Sequence, residues 1–275
     1  MIAIKIVVTS AMVLGLSWLS ERVSPRVAGV FAGFPLGIAV SLFFIGVEQG
    51  PQFGAVAATS TIGGLGASLI FCAAYWQFSD RIGRWSVILT SILSLAVFLV
   101  AAALIGLLPQ NRWLLLAVTL VLTGAAIFSF RRIADADADA DGGSGKKVVI
   151  TPFILVMRAG VATAIVLAIT GAASAIGEEW SGLLSGFPIT LYPVLLIVHV
   201  TYSKREVHGI IKNFPFGIGS LILFALVSSL VVVPLGVYWG TLVAVAVAAV
   251  YLACVAVVIW KVRASRLKTD TKMAT

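Results

Sequence analysis

Charge is what this chain has least of. Asp, Glu, Lys and Arg make up 11% of its 275 residues, against 60% apolar residues and a mean hydropathy of +1.11. A soluble domain carries about 25% charged residues to cover its surface, so a water-soluble globular fold is excluded. Cysteine is nearly absent too. Cys72 and Cys254 both fall in apolar runs and have no ligand spacing, which leaves no disulfide framework and no metal cluster to build. Histidine occurs only as His199 and His208, at the edges of an apolar run, where an interfacial position is the plainer reading. No acidic residue falls clearly mid-span, which disfavours a proton pump driven by an intramembrane carboxylate. Glu48 and the Glu178-Glu179 pair read as solvated loop residues. The sequence has no phosphate-binding glycine loop and no catalytic triad, so we expect neither an enzyme nor a cofactor. The alternating Asp135, Asp137, Asp139 and Asp141 lack the spacing and glycine of a calcium loop, and read as a cytoplasmic linker.

Long apolar runs are what the chain has instead. Runs of about 20 residues, the length that crosses a hydrocarbon core of about 30 Å as helix, recur almost throughout. They predict an all-α polytopic membrane protein with nine spans. These are 1–19, 27–46, 54–76, 85–108, 113–130, 149–172, 180–200, 209–233 and 237–260. The N-terminal run has no basic region followed by a cleavage site, so it is read as a retained helix. Loop charge tests the count. Arg22 and Arg26, Arg81 and Arg84, Arg131, Arg132, Lys146 and Lys147, and Lys204, Arg205 and Lys212 occupy alternate loops. Lys261, Arg263, Arg266, Lys268 and Lys272 follow in the tail. Of the 19 basic residues only Arg112, Lys5 and Arg158 fall elsewhere. Under the positive-inside rule the N-terminus is outside and the C-terminus cytoplasmic, and the expected location is the cell's inner (cytoplasmic) membrane. The net charge of +8 is thereby used on the membrane's cytoplasmic face, not on nucleic acid.

One stretch occurs twice. Gly29-Val30-Phe31-Ala32-Gly33-Phe34-Pro35 matches Gly182-Leu183-Leu184-Ser185-Gly186-Phe187-Pro188. A shift of 153 residues aligns the halves without a gap, pairing Lys5 with Arg158, Val8 with Val161, Gly64 with Gly217 and Phe71 with Phe224. The expected organisation is a four-helix repeat (1–108), a connecting helix (109–130), an acidic linker (131–148), a second four-helix repeat (149–260) and a basic tail (261–275). An odd number of crossings separates equivalent positions, so the repeats must be inverted, a recurrent transporter plan.

The order of an apolar helix, a Gly-Leu-Leu-x-x-Phe-Pro segment, a polar loop such as Ser203-Lys204-Arg205-Glu206 and two further helices resembles the small four-helix GlpM-like inner-membrane proteins. The resemblance covers 149–260 best, and the first half chiefly through Ala28 to Pro35. It implies two such units fused, and brings no catalytic residue with it.

Pro35 and Pro188 each remove a backbone donor and clash with the carbonyl four residues earlier. Each break is either a kink with close glycine packing or an opening whose following half-helix offers N–H groups to an anion. The symmetric pair favours the second. The candidate binding residues are Gly33, Phe34 and Pro35, Ser60 and Thr61, Arg158, Gly186, Phe187 and Pro188, and Thr190, Tyr192 and Asn213. Arg158 is the main charge, because a cation in a span costs about 2.5–3.5 kcal/mol and needs a use. It could also snorkel to the interface. Lys5 is read as interfacial. The expected function is a secondary transporter for a small anionic or amphiphilic solute. A lipid flippase or scramblase, or a non-transporting subunit of a larger complex, is the alternative. Membrane lipids and an unidentified solute are the expected partners. The Gly63-Gly64-x-Gly66 face suits packing within the chain or between copies.

Overall fold

A computed structural model of the chain describes residues 2–21, 34–82, 86–133, 152–201 and 204–273. The first five residues of the Gly29–Pro35 copy and residues 134–148 of the acidic linker lie outside the described residues. So do the basic positions Arg22, Arg26, Arg84, Lys146 and Lys147. The described residues form eight α-helices and no strands. They are α1 (Ile2–Glu21), α2 (Leu36–Gln49), α3 (Pro51–Arg81), α4 (Ser86–Gly106), α5 (Arg112–Phe130), α6 (Pro152–Ser185), α7 (Leu191–Thr201) and α8 (Lys204–Met273). Five of these helices are long and apolar enough to cross a membrane.

Of the three helices longer than a bilayer requires, α6 and α8 are each reversed by one glycine. Gly177 divides α6 and Gly236 divides α8, with φ of 82° and 74° and ψ of 173° and 166°. Gly50 joins α2 to α3 in the same conformation, φ 98° and ψ 161°. Only glycine adopts this region freely. At each reversal the residues four before and four after meet at close range. The Gly54 position faces the Cα of Gly46, the Gly240 position faces the backbone of Val232, and the Ser181 hydroxyl reaches the Ala173 carbonyl. A small residue four positions after the glycine is therefore required. An aromatic residue precedes it each time, as Gly50-x-x-Phe53-Gly54, Gly177-x-x-Trp180-Ser181 and Gly236-x-x-Trp239-Gly240.

These reversals gather at one end of the bundle. Gly46 packs against Val237, Lys5 pairs with Glu48 at 2.7 Å, and Arg112 donates to the Ser229 carbonyl at 3.3 Å. Trp113, Trp180, Tyr238 and Trp239 are exposed there, as in the aromatic belts of membrane–water interfaces. The opposite end is tied by a second polar set. Tyr75 Oη lies 3.1 Å from His199 Nδ1, Ser79 Oγ lies 2.9 Å from His208 Nε2, and Lys212 donates to the Ile133 carbonyl at 2.9 Å. Both histidines are thus engaged by α3 at this end.

α3 is the axis of the molecule. Its most apolar stretch is 83% buried, whereas α5's is 22% buried and faces outward. A buried position suits its sequence, since Gly54 to Ala74 is mostly glycine, alanine, serine and threonine and lets neighbours approach its backbone. Gly63 faces Ile105 and Leu115, Gly66 faces Leu122 and Thr119, and Gly64 faces the backbone of Leu183 and Gly186. The Gly63-Gly64-x-Gly66 face is therefore used within the chain.

Replacing Gly236 by Ala should destabilise the protein by about 1–3 kcal/mol, since alanine must adopt a strained backbone there. Gly124→Ala, in a helix with open space around it, should be neutral or stabilising by up to about 1 kcal/mol. Equilibrium unfolding in mixed micelles compares the two.

Candidate functional site

Between α6 and α7 the chain leaves helical conformation for five residues, Gly186 to Thr190. Pro188 causes the break, since it carries no N–H and its ring clashes with the turn before it. Away from water each carbonyl so released needs a partner. The chain supplies most of them locally. The Gly186 N–H bonds to the Gly182 and Leu183 carbonyls at 3.1 and 3.2 Å, and the Phe187 N–H to the Leu184 carbonyl at 3.0 Å. α3 adds side-chain donors. Ser68 donates to the Gly186 carbonyl at 2.5 Å, and Thr61 donates to the Gly182 carbonyl at 2.9 Å while also bonding the Ala57 carbonyl of its own helix. Thr61, Gly64 and Ser68 lie one turn apart on one face of α3, so two hydroxyls flank a glycine where the broken segment docks. Gly182 and Gly186 complete the fit. A methyl group at either would collide with the α3 backbone.

The start of α2 at Pro35 has the same backbone design as the chain leaving the Pro188 break, and what precedes Phe34 lies outside the described residues. Leu36 N–H bonds the Phe34 carbonyl at 2.8 Å and Ala39 N–H bonds the Pro35 carbonyl at 2.7 Å. At the second break Ile189 N–H bonds the Phe187 carbonyl at 2.7 Å and Tyr192 N–H bonds the Pro188 carbonyl at 2.8 Å. No side chain caps the start of α2. The two breaks meet, with Gly37 packed directly against Ile189 and Thr190.

Two small cavities lie at the meeting point. One is lined by Phe34, Gly37 and Ile38 from the first break, by Gly186 through Leu191 from the second, and by Leu65, Phe214 and Leu221. The other is lined by Val13, Arg158, Ala162, Ile189, Thr190 and Pro193. Each has a volume of about 10 Å³, room for about one water molecule. Ile189 and Thr190 border both, so Arg158 is one residue's width from the junction of the breaks. Behind it, Phe187 sits in an aromatic cluster, its ring centroid 5.3 Å from Phe71, 5.0 Å from Phe98 and 5.5 Å from Tyr192.

Of the sequence-predicted residues, Phe34, Pro35, Arg158, Gly186, Phe187, Pro188, Thr190 and Tyr192 are thus brought together. Thr61 supports the site from behind. Gly33 lies outside the described residues. Ser60 is buried on α3 but donates to Gln110 Oε1 at 2.8 Å, in the turn between α4 and α5. Asn213 is exposed and its amide returns to the Gly209 carbonyl of its own helix at 2.8 Å. Two residues that matter went unread. Ser68 was detectable as the next member of the Thr61–Gly64 stripe. Glu48 read as a loop residue, yet it ends α2 and pairs with Lys5, whose side chain is 5% exposed. No spacing in the sequence announces that pair.

The fold and site define a helical, membrane-embedded protein with an interrupted helix docked on a central small-residue helix. The chain matches no protein-family model, and no curated protein or solved structure is significantly similar to it.

Ser68→Ala leaves the Gly186 carbonyl without its side-chain donor and should cost about 1–3 kcal/mol of stability. Ser94→Ala removes a buried hydroxyl that has no hydrogen-bond partner, and should cost nothing or stabilise. Parallel unfolding titrations in mixed micelles test the contrast.

Proposed function

We propose that the chain is a secondary transporter, or permease, for a small anionic or amphiphilic solute. In this reading nine spans form two inverted four-helix repeats joined by α5, with the N-terminus outside and the C-terminus in the cytoplasm. The observation that carries it is the meeting of the start of α2 at Pro35 with the Pro188 break, two segments of one backbone design, inside the bundle and beside Arg158. Discontinuous helices that face each other across a repeat interface are the common way transporters build a central site.

Residues 153 apart in sequence touch at two places. Ser10 Oγ lies 3.4 Å from Thr163 Oγ1, and Gly37 packs on Thr190. In a two-fold arrangement only residues on the axis touch their own equivalents, so both contacts support an axis through α1–α6 and through the breaks. The matching hydrogen bonds of Phe34–Ala39 and Phe187–Tyr192 support the same register. We take each half as a unit of the kind the GlpM-like resemblance implies, duplicated and fused. The reading needs neither an enzymatic step nor a cofactor.

Chemically, the site offers an uncapped helix start at Leu36 and the guanidinium of Arg158, both suited to an anion. Phe34, Ile38, Phe187 and Leu191 offer apolar surface to the rest of the solute. The cavities hold about one water each, so the arrangement described is the closed one, and loading requires α2 to part from Ile189 and Thr190.

The test is a thermal-shift screen of purified protein against inorganic anions, organic acids, amino acids and phospholipid head groups, wild type beside Arg158→Ala. A ligand at 100 times its Kd should add about 2.7 kcal/mol if it binds only the folded state. We expect one anion class to stabilise wild type and not the variant. Stabilisation confined to head-group phosphates would favour lipid handling, and no stabilisation at all a non-transporting subunit.

A further inference from the structure

An ion pair lies inside the bundle away from the breaks. Lys5 Nζ sits 2.7 Å from Glu48 Oε2 and 2.8 Å from Thr170 Oγ1, with the Phe44 ring centroid 5.8 Å away. Thr170 gives its own proton to the Val166 carbonyl at 2.8 Å, which leaves its oxygen to accept from the lysine. The two side chains are sealed unequally. Lys5 is 5% exposed, whereas Glu48 is 20% exposed and lies two residues before the Gly50 reversal. The carboxylate is thus the member that water at this end can reach.

The same two helices carry further buried polar side chains. Thr9, one turn after Lys5 on α1, and Ser41, two turns before Glu48 on α2, are buried with no hydrogen-bond partner. Apolar residues of similar size would hold three helices together at least as well as a buried ion pair. Three helices therefore converge on an ammonium whose anion is supplied by the chain itself.

We propose that Lys5 is an anion-binding cation and Glu48 its built-in occupant, displaced when Glu48 takes a proton. In the step, Glu48 gains one proton from water at the Gly50 end and its contact with the ammonium breaks. An anionic oxygen of a carboxylate or sulfonate monoanion then takes the vacated position, beside Thr170 and Phe44. One proton and one monoanion enter together, so the charge at the pair is unchanged, which is the stoichiometry of electroneutral symport. The other described charges at this end are Glu178 and Glu179, exposed on the second arm of α6 (178–185), and Arg112 on α5, which donates to the Ser229 carbonyl. Asp80, His199 and His208 belong to the opposite end. The role in symport rests on the transporter reading, whereas the binding event stands without it.

Equilibrium dialysis of labelled benzenesulfonate, ionised at all working pH, against the full chain in lipid nanodiscs tests the exchange. Glu48→Gln removes the charge without acid. At pH 8 it should bind benzenesulfonate saturably and about tenfold or more tighter than wild type, and the Lys5→Gln/Glu48→Gln double variant should lose that gain. No gain in E48Q, or a gain the double variant keeps, overturns the proposal. If E48Q does not fold, wild type carries the test. Its binding should tighten as the pH is lowered, while pH-independent binding overturns the proposal. Lys5-dependent binding in a chain that moves no anion across vesicles would keep this inference and remove the transporter reading. Transport whose pH dependence survives Lys5→Gln would do the reverse.

Discussion

The structure depends on one constraint: in an apolar surrounding, a backbone carbonyl released by a proline must find a donor within the protein. The break at Pro188 leaves the Gly186 carbonyl outside the helix deep in the bundle, and α3 answers it with Ser68, while Thr61 adds a second donor to the Gly182 carbonyl, one turn either side of Gly64. Hydroxyls at those positions would be useless without close approach, and close approach needs Gly64, Gly182 and Gly186 together. The Thr61–Gly64–Ser68 stripe of α3 serves that docking, while Gly63 and Gly66 let α4 and α5 approach its other side. A helix kept straight by leucines could not have accepted the break.

The rest of the architecture closes the bundle at its two ends. At one end three single-glycine reversals keep the connections to one residue each, and the paired small residue four positions on lets the arms meet. At the other, α3 reaches both histidines through Tyr75 and Ser79. Connections are thus short and sparsely charged at the first end, while the basic positions Arg81, Arg131, Arg132 and Lys212 gather at the second. The interior between is held by close packing. The two cavities at the junction are small because Gly37 and Thr190 are in contact, so a solute path through it exists only if that contact opens.

Much of this was legible in the sequence. The second Gly-Phe-Pro stretch announced an interrupted helix because proline has one physical consequence in a helix, and glycine next to it has one steric use; the helix expected before the first stretch lies outside the described residues. The reversal at Gly236 was readable as the gap between apolar runs. The joining of 149–172 to the start of the next run through Gly177 was not, because helix continues on both sides of a one-residue turn. Partner choice was the least legible. Ser60 and Asn213 look like site residues on their helices, yet one bonds Gln110 and the other its own backbone, outcomes set by tertiary position. Glu48 looked solvated because it stands two residues from a turn. Which helix covers it from the side is information that no local pattern holds.

The most direct test of the central claim, that the junction of the two breaks is a site reached in turn from each side of the membrane, is two-sided thiol labelling at Thr190. Cys72 is buried and Cys254 is exposed, so the experiment needs a Cys254→Ser background carrying Thr190→Cys, reconstituted into vesicles of known orientation. A membrane-impermeant maleimide would be added from one face and then from the other. Slow labelling from both faces, suppressed by the anion that stabilises the protein, is the expected result. Complete protection from both faces would contradict it, and would make the junction a packing contact and nothing more.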